Sequence, residues 1–336
     1  MHRSGTSALA SVLGALGLDP GSADGLMRPD VGNPDGYFEV ESVAALDERI
    51  LRDYGGRWDI PPLLAPGWAT EVGARGLVAE LRATFDATFA NRRFVLKDPR
   101  MSLLLPLWRQ ALLDRVAVVV VVRDPAEVAW SLALRDGMAP LTGLGLWAAY
   151  NRTLLADLEG LPVHFCSYRD LVERPRDVVG TVAASLAAWG ELDDQDLDAA
   201  VARVRPSLRR DTHPATDPIL AEPPSSVREL AAALAALDGR HDHFTTTVPS
   251  PGWWEGPLLD ERRVFVQHYE RALGERDRRI DELVNDNEAV RRQSEELRAE
   301  LVAAHESIVE YQDVVRVLES SRAVRISRAI GRGPTT

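Results

Sequence analysis

The sequence predicts an α/β fold: a parallel sheet flanked by helices, followed by a long C-terminal coiled-coil helix. Three observations predict it. Val116 to Val122 is an uninterrupted aliphatic run between Arg115 and Arg123, rich in β-branched residues, as suits a strand buried on both faces of a parallel sheet. Helical patterns alternate with short strand-like runs over the first part of the chain, which is the order of an α/β sheet with helices on both faces. From Leu258 to Ile330 there is no proline and a single glycine in a run dense in Glu and Arg, a composition that favours one long helix.

Taken in order, Ser7 to Leu16 is apolar and helix-like and is ended by Gly17. Phe94 to Leu96 reads as a short strand closing on Lys97-Asp98-Pro99, and Pro162 to Tyr168 as another strand beside the Val116–Val122 run. Between them, helical patterns cover Leu77 to Phe89, Leu103 to Leu113, Ala126 to Leu134, Leu144 to Leu158 and Pro175 to Trp189. These elements assign an α/β domain to 1–205. The next zone, 206–257, holds eight prolines, from Pro206 to Pro257, and reads as a linker or closing flap. Its one helical stretch, Ser225 to Leu237, carries Leu230, Leu234 and Leu237 on one face. The coiled-coil helix takes 258–330, and 331–336 is a disordered tail.

The long helix carries a heptad. With position a at Ile280, Asn287, Ser294, Leu301, Ile308 and Val315, position d falls at Leu283, Val290, Leu297, Ala304, Tyr311 and Leu318. Ten of these twelve are apolar, and most positions around them are polar or charged, so a two-chain seam is favoured over packing on the chain's own domain. Asn287 at an a position favours a parallel homodimer in fixed register. Beyond the seam, Arg322, Arg325, Arg328 and Arg332 alternate with Val324, Ile326 and Ile330. Such a tail can touch an anionic membrane surface weakly, although its small apolar face suits a solvated helix end better.

Composition narrows the function. The chain has 336 residues and a net charge of −12, so a general nucleic-acid coat is excluded, because phosphate neutralisation needs a basic surface. A small local anion site is not. Cys166 is the only cysteine, which rules out an internal disulfide and points to a reducing compartment. The longest aliphatic run is far short of the roughly 20 residues that span a bilayer, and the N-terminus lacks a signal-peptide pattern. A cytoplasmic protein is expected.

In an open parallel sheet, ligands bind beyond the carboxyl ends of the strands, and three charged clusters fall at such places. His2-Arg3-Ser4-Gly5-Thr6-Ser7 opens a helix. Its amides and hydroxyls can cradle a phosphate or sulfate, Arg3 adds a planar fork, and Gly5 allows close backbone approach. It holds no lysine and is not a Walker A loop; a simply capped helix is the plainer alternative. Arg123 ends the buried strand, Pro125 starts a helix, and Ser131 lies eight residues after Arg123, so the pair can clamp one anion. The alternative is an Arg123–Asp124 pair. Lys97-Asp98-Pro99-Arg100 supplies two more cations after a strand.

Together these clusters resemble the sulfotransferases that use 3′-phosphoadenosine 5′-phosphosulfate, and most closely the bacterial members with an NPxGYFE-like segment (here Asn33-Pro34-Asp35-Gly36-Tyr37-Phe38-Glu39) and a KDPR segment. The resemblance covers about residues 1 to 210. It implies a P-loop-like sulfotransferase fold and places Arg3, Ser4, Gly5, Thr6 and Ser7 on the 5′-phosphosulfate, and Arg123 and Ser131 on the nucleotide 3′-phosphate. In that family a hydrophobic strand precedes the loop. This chain starts at the loop, so the first strand is expected to be missing, with a true start upstream of Met1 or a degenerate domain as its two explanations.

The resemblance implies sulfuryl transfer to a hydroxyl of a glycan, lipid or small metabolite. As in phosphoryl transfer, positioning and charge stabilisation do most of the work. Arg3, the loop amides and Lys97 would stabilise the leaving oxygen. Glu39 is the first candidate base, with Glu41 and Asp98 as alternatives, and a salt-bridged carboxylate is the plain reading of Glu39. No metal is required, and His241 with His243 lacks further ligands for zinc. Arg209 and Arg210 read as solvated linker charges or as a segment folding over the nucleotide. Trp253 and Trp254 line a cleft or staple the linker. Tyr150 and Asn151 fall on a helix that is a candidate site wall, and Cys166 reads as an inert core residue. Two rival functions remain: a nucleotide-dependent kinase-like transferase, and a non-catalytic coiled-coil adaptor in a glycan-assembly complex.

Overall fold

The computed structural model describes residues 1–30, 33, 36–89, 92–113, 116–192, 196–205 and 217–320. Pro34, Asp35, Arg209, Arg210, the arginines from Arg322 onward and the 331–336 tail lie outside the described residues. The chain divides into two compact units, Met1–Val264 and the remainder from Phe265.

In the first unit, helices predominate around a small sheet. Strand β1 (Val118–Val122) pairs in parallel with β2 (Val163–Ser167), with Val118 opposite Val163 and Val122 opposite Ser167. Strand β3 (Gly239–His241) adds antiparallel to β2, so the sheet is mixed rather than wholly parallel. The expected all-parallel sheet fails because β3, a three-residue strand from the Pro-rich zone, adds antiparallel to the β2 edge. Alternation along β1 and β2 splits the interior in two. Val120, Val163 and Phe165 join a core with Leu104, Trp108, Leu146 and Trp147. Val121 and Cys166 join a second core with Leu9, Val12, Val179 and Val182. Helices therefore cover both faces of the sheet.

The helices are α1 (Thr6–Ala15), α2 (Glu41–Asp53), α3 (Ala74–Phe89), α4 (Met101–Ala111), α5 (Pro125–Asp136), α6 (Pro140–Asp157), α7 (Tyr168–Glu173), α8 (Pro175–Ala188), α9 (Leu197–Val201), α10 (Pro218–Ala221), α11 (Ser225–Ala235) and α12 (Glu255–Ser320). Local chemistry explains the ends that matter most for the site. Asp124 caps α5 by accepting from the Ala126 and Glu127 amides, Pro125 sits at its first turn, and Gly137 (φ 64°) closes it, a full set of start and stop signals. Helix α2 buries Val43, Ala44, Leu46, Ile50 and Leu51 along one face.

Phe94 to Leu96 does not form the expected strand. Its only pairing among the described residues is an isolated parallel bridge from Phe94 to Asp19. A cavity of about 220 Å³ is lined both by Phe94–Asp98 and by Val116–Val121 of the β1 edge. With no neighbouring strand described on that side, the segment has no ladder to join.

The Pro-rich zone is part of the first unit rather than a loose linker. Val227, Leu230 and Leu234 of α11 enter the main core. Arg152 on α6 donates to Glu255, to the Pro249 carbonyl (2.9 Å) and to the Ser226 carbonyl (3.2 Å), while Ser226 and the Gly252 amide each reach Glu255 at 2.8 Å. Trp254 packs against the core and Trp253 is 89% exposed, so only one of the two tryptophans acts as a staple. The second unit, over its described residues, is the continuation of α12. No helix among the described residues is long and apolar enough to cross a membrane.

Candidate functional site

The loop before α1 is shaped for close contact. Arg3 (φ 63°) and Gly5 (φ 89°) both take left-handed backbone, a conformation with a cost for Arg3 that tends to persist only where surroundings enforce it. Left-handed residues in a loop are a setting in which successive amides can form an anion nest, and the α1 dipole adds positive potential at this helix entrance. There is no acidic residue in the first turn of α1 to oppose an anion. At Gly5 the reason for glycine is doubled: a Cβ there would lie 2.1 Å from the Tyr168 ring.

The expected 3′ pair meets this loop directly. Arg3 Nε donates to Ser131 Oγ at 2.7 Å, and Arg123 Nη1 donates to the Arg3 carbonyl at 3.0 Å. Arg123 is buried. Its Nε donates to Glu127 at 2.9 Å, and its guanidinium lies 4.7 Å from the centre of the Tyr168 ring. The alternative pairing of Arg123 with Asp124 is not made by these groups: Asp124 is the α5 cap, and Glu127 one turn later takes Arg123. The Trp147 indole donates to the Arg123 carbonyl at 3.1 Å, fixing the strand end from α6. Thus Arg3 and Ser131, expected on opposite ends of a nucleotide, touch each other here.

Lys97 is the second node. Its ammonium reaches Ser7 Oγ (3.4 Å), the Tyr37 carbonyl (3.1 Å) and the Glu39 carboxylate. It therefore joins the loop, Tyr37 and Glu39 to the Lys97–Arg100 cluster at one point. Asn33 strengthens the join, donating to Ser7 Oγ at 3.2 Å and to the Gly36 carbonyl at 2.6 Å. Arg100 lies 3.6 Å from Glu39 and pairs with Asp98 (2.8 Å) and Glu48 (3.0 Å). Glu39 is only 3% exposed. Burial pushes its carboxyl above the ordinary range while Lys97 pulls the other way, and burial likewise lowers the Lys97 ammonium against the pull of Glu39. A carboxylate made more basic by burial and held by a cation is a competent proton acceptor in form.

The aromatic surround of this site, Trp58 and Tyr168, carried no signal in the sequence. His2 packs against Trp58 in a tilted arrangement (ring centres 4.7 Å apart), and its Nε2 is buried without a protein hydrogen-bond partner. Burial, then Arg100, holds its imidazole well below the usual value, so it is neutral. Tyr168 closes the loop from the far side. Of the helix residues considered as a wall, Tyr150 donates to the Trp58 carbonyl at 2.5 Å and Asn151 to the Trp147 carbonyl at 2.8 Å; both are structural links within the surround. The charged and hydroxyl residues of the three clusters were visible in advance; aromatic packing across segments was not.

No cluster of three or more metal-ligating side chains occurs among the described residues, and His241 bonds to the Leu237 carbonyl at 2.8 Å. Burial pushes the Cys166 thiol up to about 12, which makes it unreactive. Comparison with protein-family profiles, with curated proteins and with solved structures finds no match.

Proposed function

We propose that the first unit is a sulfotransferase of P-loop-like fold, moving a sulfuryl group from 3′-phosphoadenosine 5′-phosphosulfate to a hydroxyl of a glycan, lipid or small metabolite. The observation that carries this reading is the meeting of four segments at one place: the loop Arg3–Ser7, the Arg123/Ser131 pair, Lys97 and Glu39. In this reading the loop amides, Ser4, Gly5, Thr6 and Ser7 receive the 5′-phosphosulfate. Arg123 and Ser131 receive the 3′-phosphate, with Arg3 leaving Ser131 to reach the anion. Glu39 takes the proton from the acceptor hydroxyl as its oxygen attacks sulfur. The bond from sulfur to the 5′-phosphate oxygen breaks, and the negative charge gathering on that oxygen is stabilised by the amides, Arg3 and Lys97. No metal takes part.

The test is a calorimetric titration of the purified chain with 3′-phosphoadenosine 5′-phosphate beside ADP, which lacks the 3′-phosphate. Preference for the former by tenfold or more is expected, with Arg123→Ala and Ser131→Ala each weakening it. Glu39→Gln should retain binding and lose turnover. Equal or absent binding of both nucleotides refutes the assignment and favours the non-catalytic adaptor; ATP-dependent transfer would favour the kinase-like reading.

A further inference from the structure

We infer that α12 is one strand of a parallel, in-register, two-stranded coiled coil formed with a second copy of this chain, with its polarity set by Asn287 and by an Asp286–Arg291 pair between chains. The inference does not depend on the reading of the first unit.

The helix presents its seam openly. Val290, Leu297, Leu301 and Tyr311 are 57–73% exposed, and Ile280, Leu283, Ile308, Val315 and Leu318 are exposed as well. A row of large apolar side chains at a and d, continuing over six heptads, is a surface that a monomer does not leave in water. The residue choice selects two strands: β-branched Ile280, Ile308 and Val315 at a alternate with Leu283, Leu297 and Leu318 at d, the combination of parallel dimers rather than trimers or tetramers. At roughly 60 Å² for each apolar seam side chain, both helices together bury on the order of 1,200 Å², the lower end of a stable interface.

Two observations separate parallel from antiparallel. In a parallel register, like layers meet like. Asn287 faces the partner's Asn287, where the two amides hydrogen-bond to each other in an otherwise apolar seam. With the helices reversed about the centre of the same seam, Asn287 would face the partner's Tyr311 instead, an amide set against a ring. The flanking charges agree. Position g at Asp286 and the following e at Arg291 face each other across a parallel interface, twice by symmetry. In the reversed register Asp286 meets Ser307 and Arg291 meets Gln312, and the attraction is lost. The remaining parallel g–e pairs, among them Gln293 with Arg298 and Glu300 with His305, contain no like-charge clash.

The test uses the full chain with Cys166→Ser, which removes the native thiol. Light scattering should give a dimer. In this background Val290→Cys places a thiol in a d layer, where parallel strands bring it opposite its own copy at disulfide distance; oxidation should convert most of the chain to covalent dimer. Asp286→Arg should raise the dimer dissociation constant about tenfold, and Arg291→Asp added to it should restore most of the loss. A monomer, a trimer or tetramer, or Val290→Cys that cross-links only when mixed with Ile308→Cys, its reversed-register neighbour, would each overturn the proposal. Charge effects at 286 and 291 that simply add, without rescue, would overturn the assigned pair.

Discussion

Replacing Gly5 with Ala tests the loop more sharply than any change to a charged residue, because the structure fixes two separate penalties. The backbone there has φ 89°, a left-handed conformation that costs an L-residue about 1–2 kcal/mol. The added methyl would also lie 2.1 and 2.4 Å from Tyr168 ring carbons, inside any possible contact distance. Tyr168 is 6% exposed, so its ring cannot swing into solvent, and overpacking a buried ring costs about 1–3 kcal/mol. Gly5→Ala should therefore lose about 2–5 kcal/mol by urea unfolding, and a midpoint drop of about 5–15 °C in a unit of this size. Moving Tyr168 also disturbs Arg123, whose guanidinium stacks on it, so affinity for 3′-phosphoadenosine 5′-phosphate should fall as well. A double-mutant cycle isolates the steric part: against a Tyr168→Ala background, the added cost of Gly5→Ala should shrink to the backbone share of about 1–2 kcal/mol. If Gly5→Ala unfolds at the wild-type urea concentration, the loop does not have this conformation. If its cost is unchanged by Tyr168→Ala, the ring contact is not what constrains it.

Two further predictions concern buried titratable groups. Asp47 is fully buried, accepts one bond from the Trp108 indole at 3.0 Å, and has a second oxygen with no protein partner; burial, then Asp98, pushes its carboxyl well above the usual value. The folded state thus holds this proton more tightly than the unfolded chain, so stability declines as pH rises from about 3.9 toward the folded value. Asp47→Asn, which keeps an oxygen for Trp108 and carries no charge, should raise the neutral-pH melting midpoint and flatten that decline; an unchanged pH profile would contradict the reading. His164 runs the other way. It is buried beside the Ser185 hydroxyl at 2.8 Å, and burial lowers its imidazole, so its contribution is complete above about pH 6.5 and is lost as pH falls through the folded value. His164→Gln should shallow the acid limb of unfolding free energy below about pH 6.5; an unaltered limb would assign it to His2 or to other groups.

Much of the helical framework was legible because it depends on local signals. Pro125, Asp124 and Gly137 bracket α5 within two residues of the pattern read from sequence, and the valine run gives strand β1, although only Val120 and Val121 are buried where burial on both faces was expected. What escaped depends on distant partners. Helix α2 was not expected, since its apolar spacing is broken by Asp47, whose acceptability rests on a tryptophan sixty-one positions away. β3 is three residues long and exists only because β2 offers it an edge. The expected strand at Phe94–Leu96 fails for the converse reason: the residues are right, but the described chain gives them only Asp19 to pair with. At the site, the charged residues were legible as types and spacings. Their mutual contacts were not, and neither was the role of Tyr168 in holding both Gly5 and Arg123.

The arrangement of charge around Glu39 bears on how such a site would work. A buried ion pair is poor evidence for stability, because desolvating both groups offsets most of their attraction. Lys97 and Glu39 nevertheless sit together in near-complete burial, with Arg100 close behind and neutralised by Asp98 and Glu48. A purely structural role would be served as well by two apolar residues of similar size. Keeping the pair is useful if an incoming anion competes for Lys97: as the ammonium turns toward the anion, Glu39 loses part of its counter-charge while staying buried, and its affinity for a proton rises. Anion binding would then prepare the base in the same motion that engages the cation. On this argument Lys97→Met should do more than weaken anion binding. It should raise the proton affinity of Glu39 further, so that turnover in the proposed reaction shifts to higher pH than in the wild type. A mutant with lower activity but an unshifted pH dependence would mean that Lys97 and Glu39 are not linked in this way.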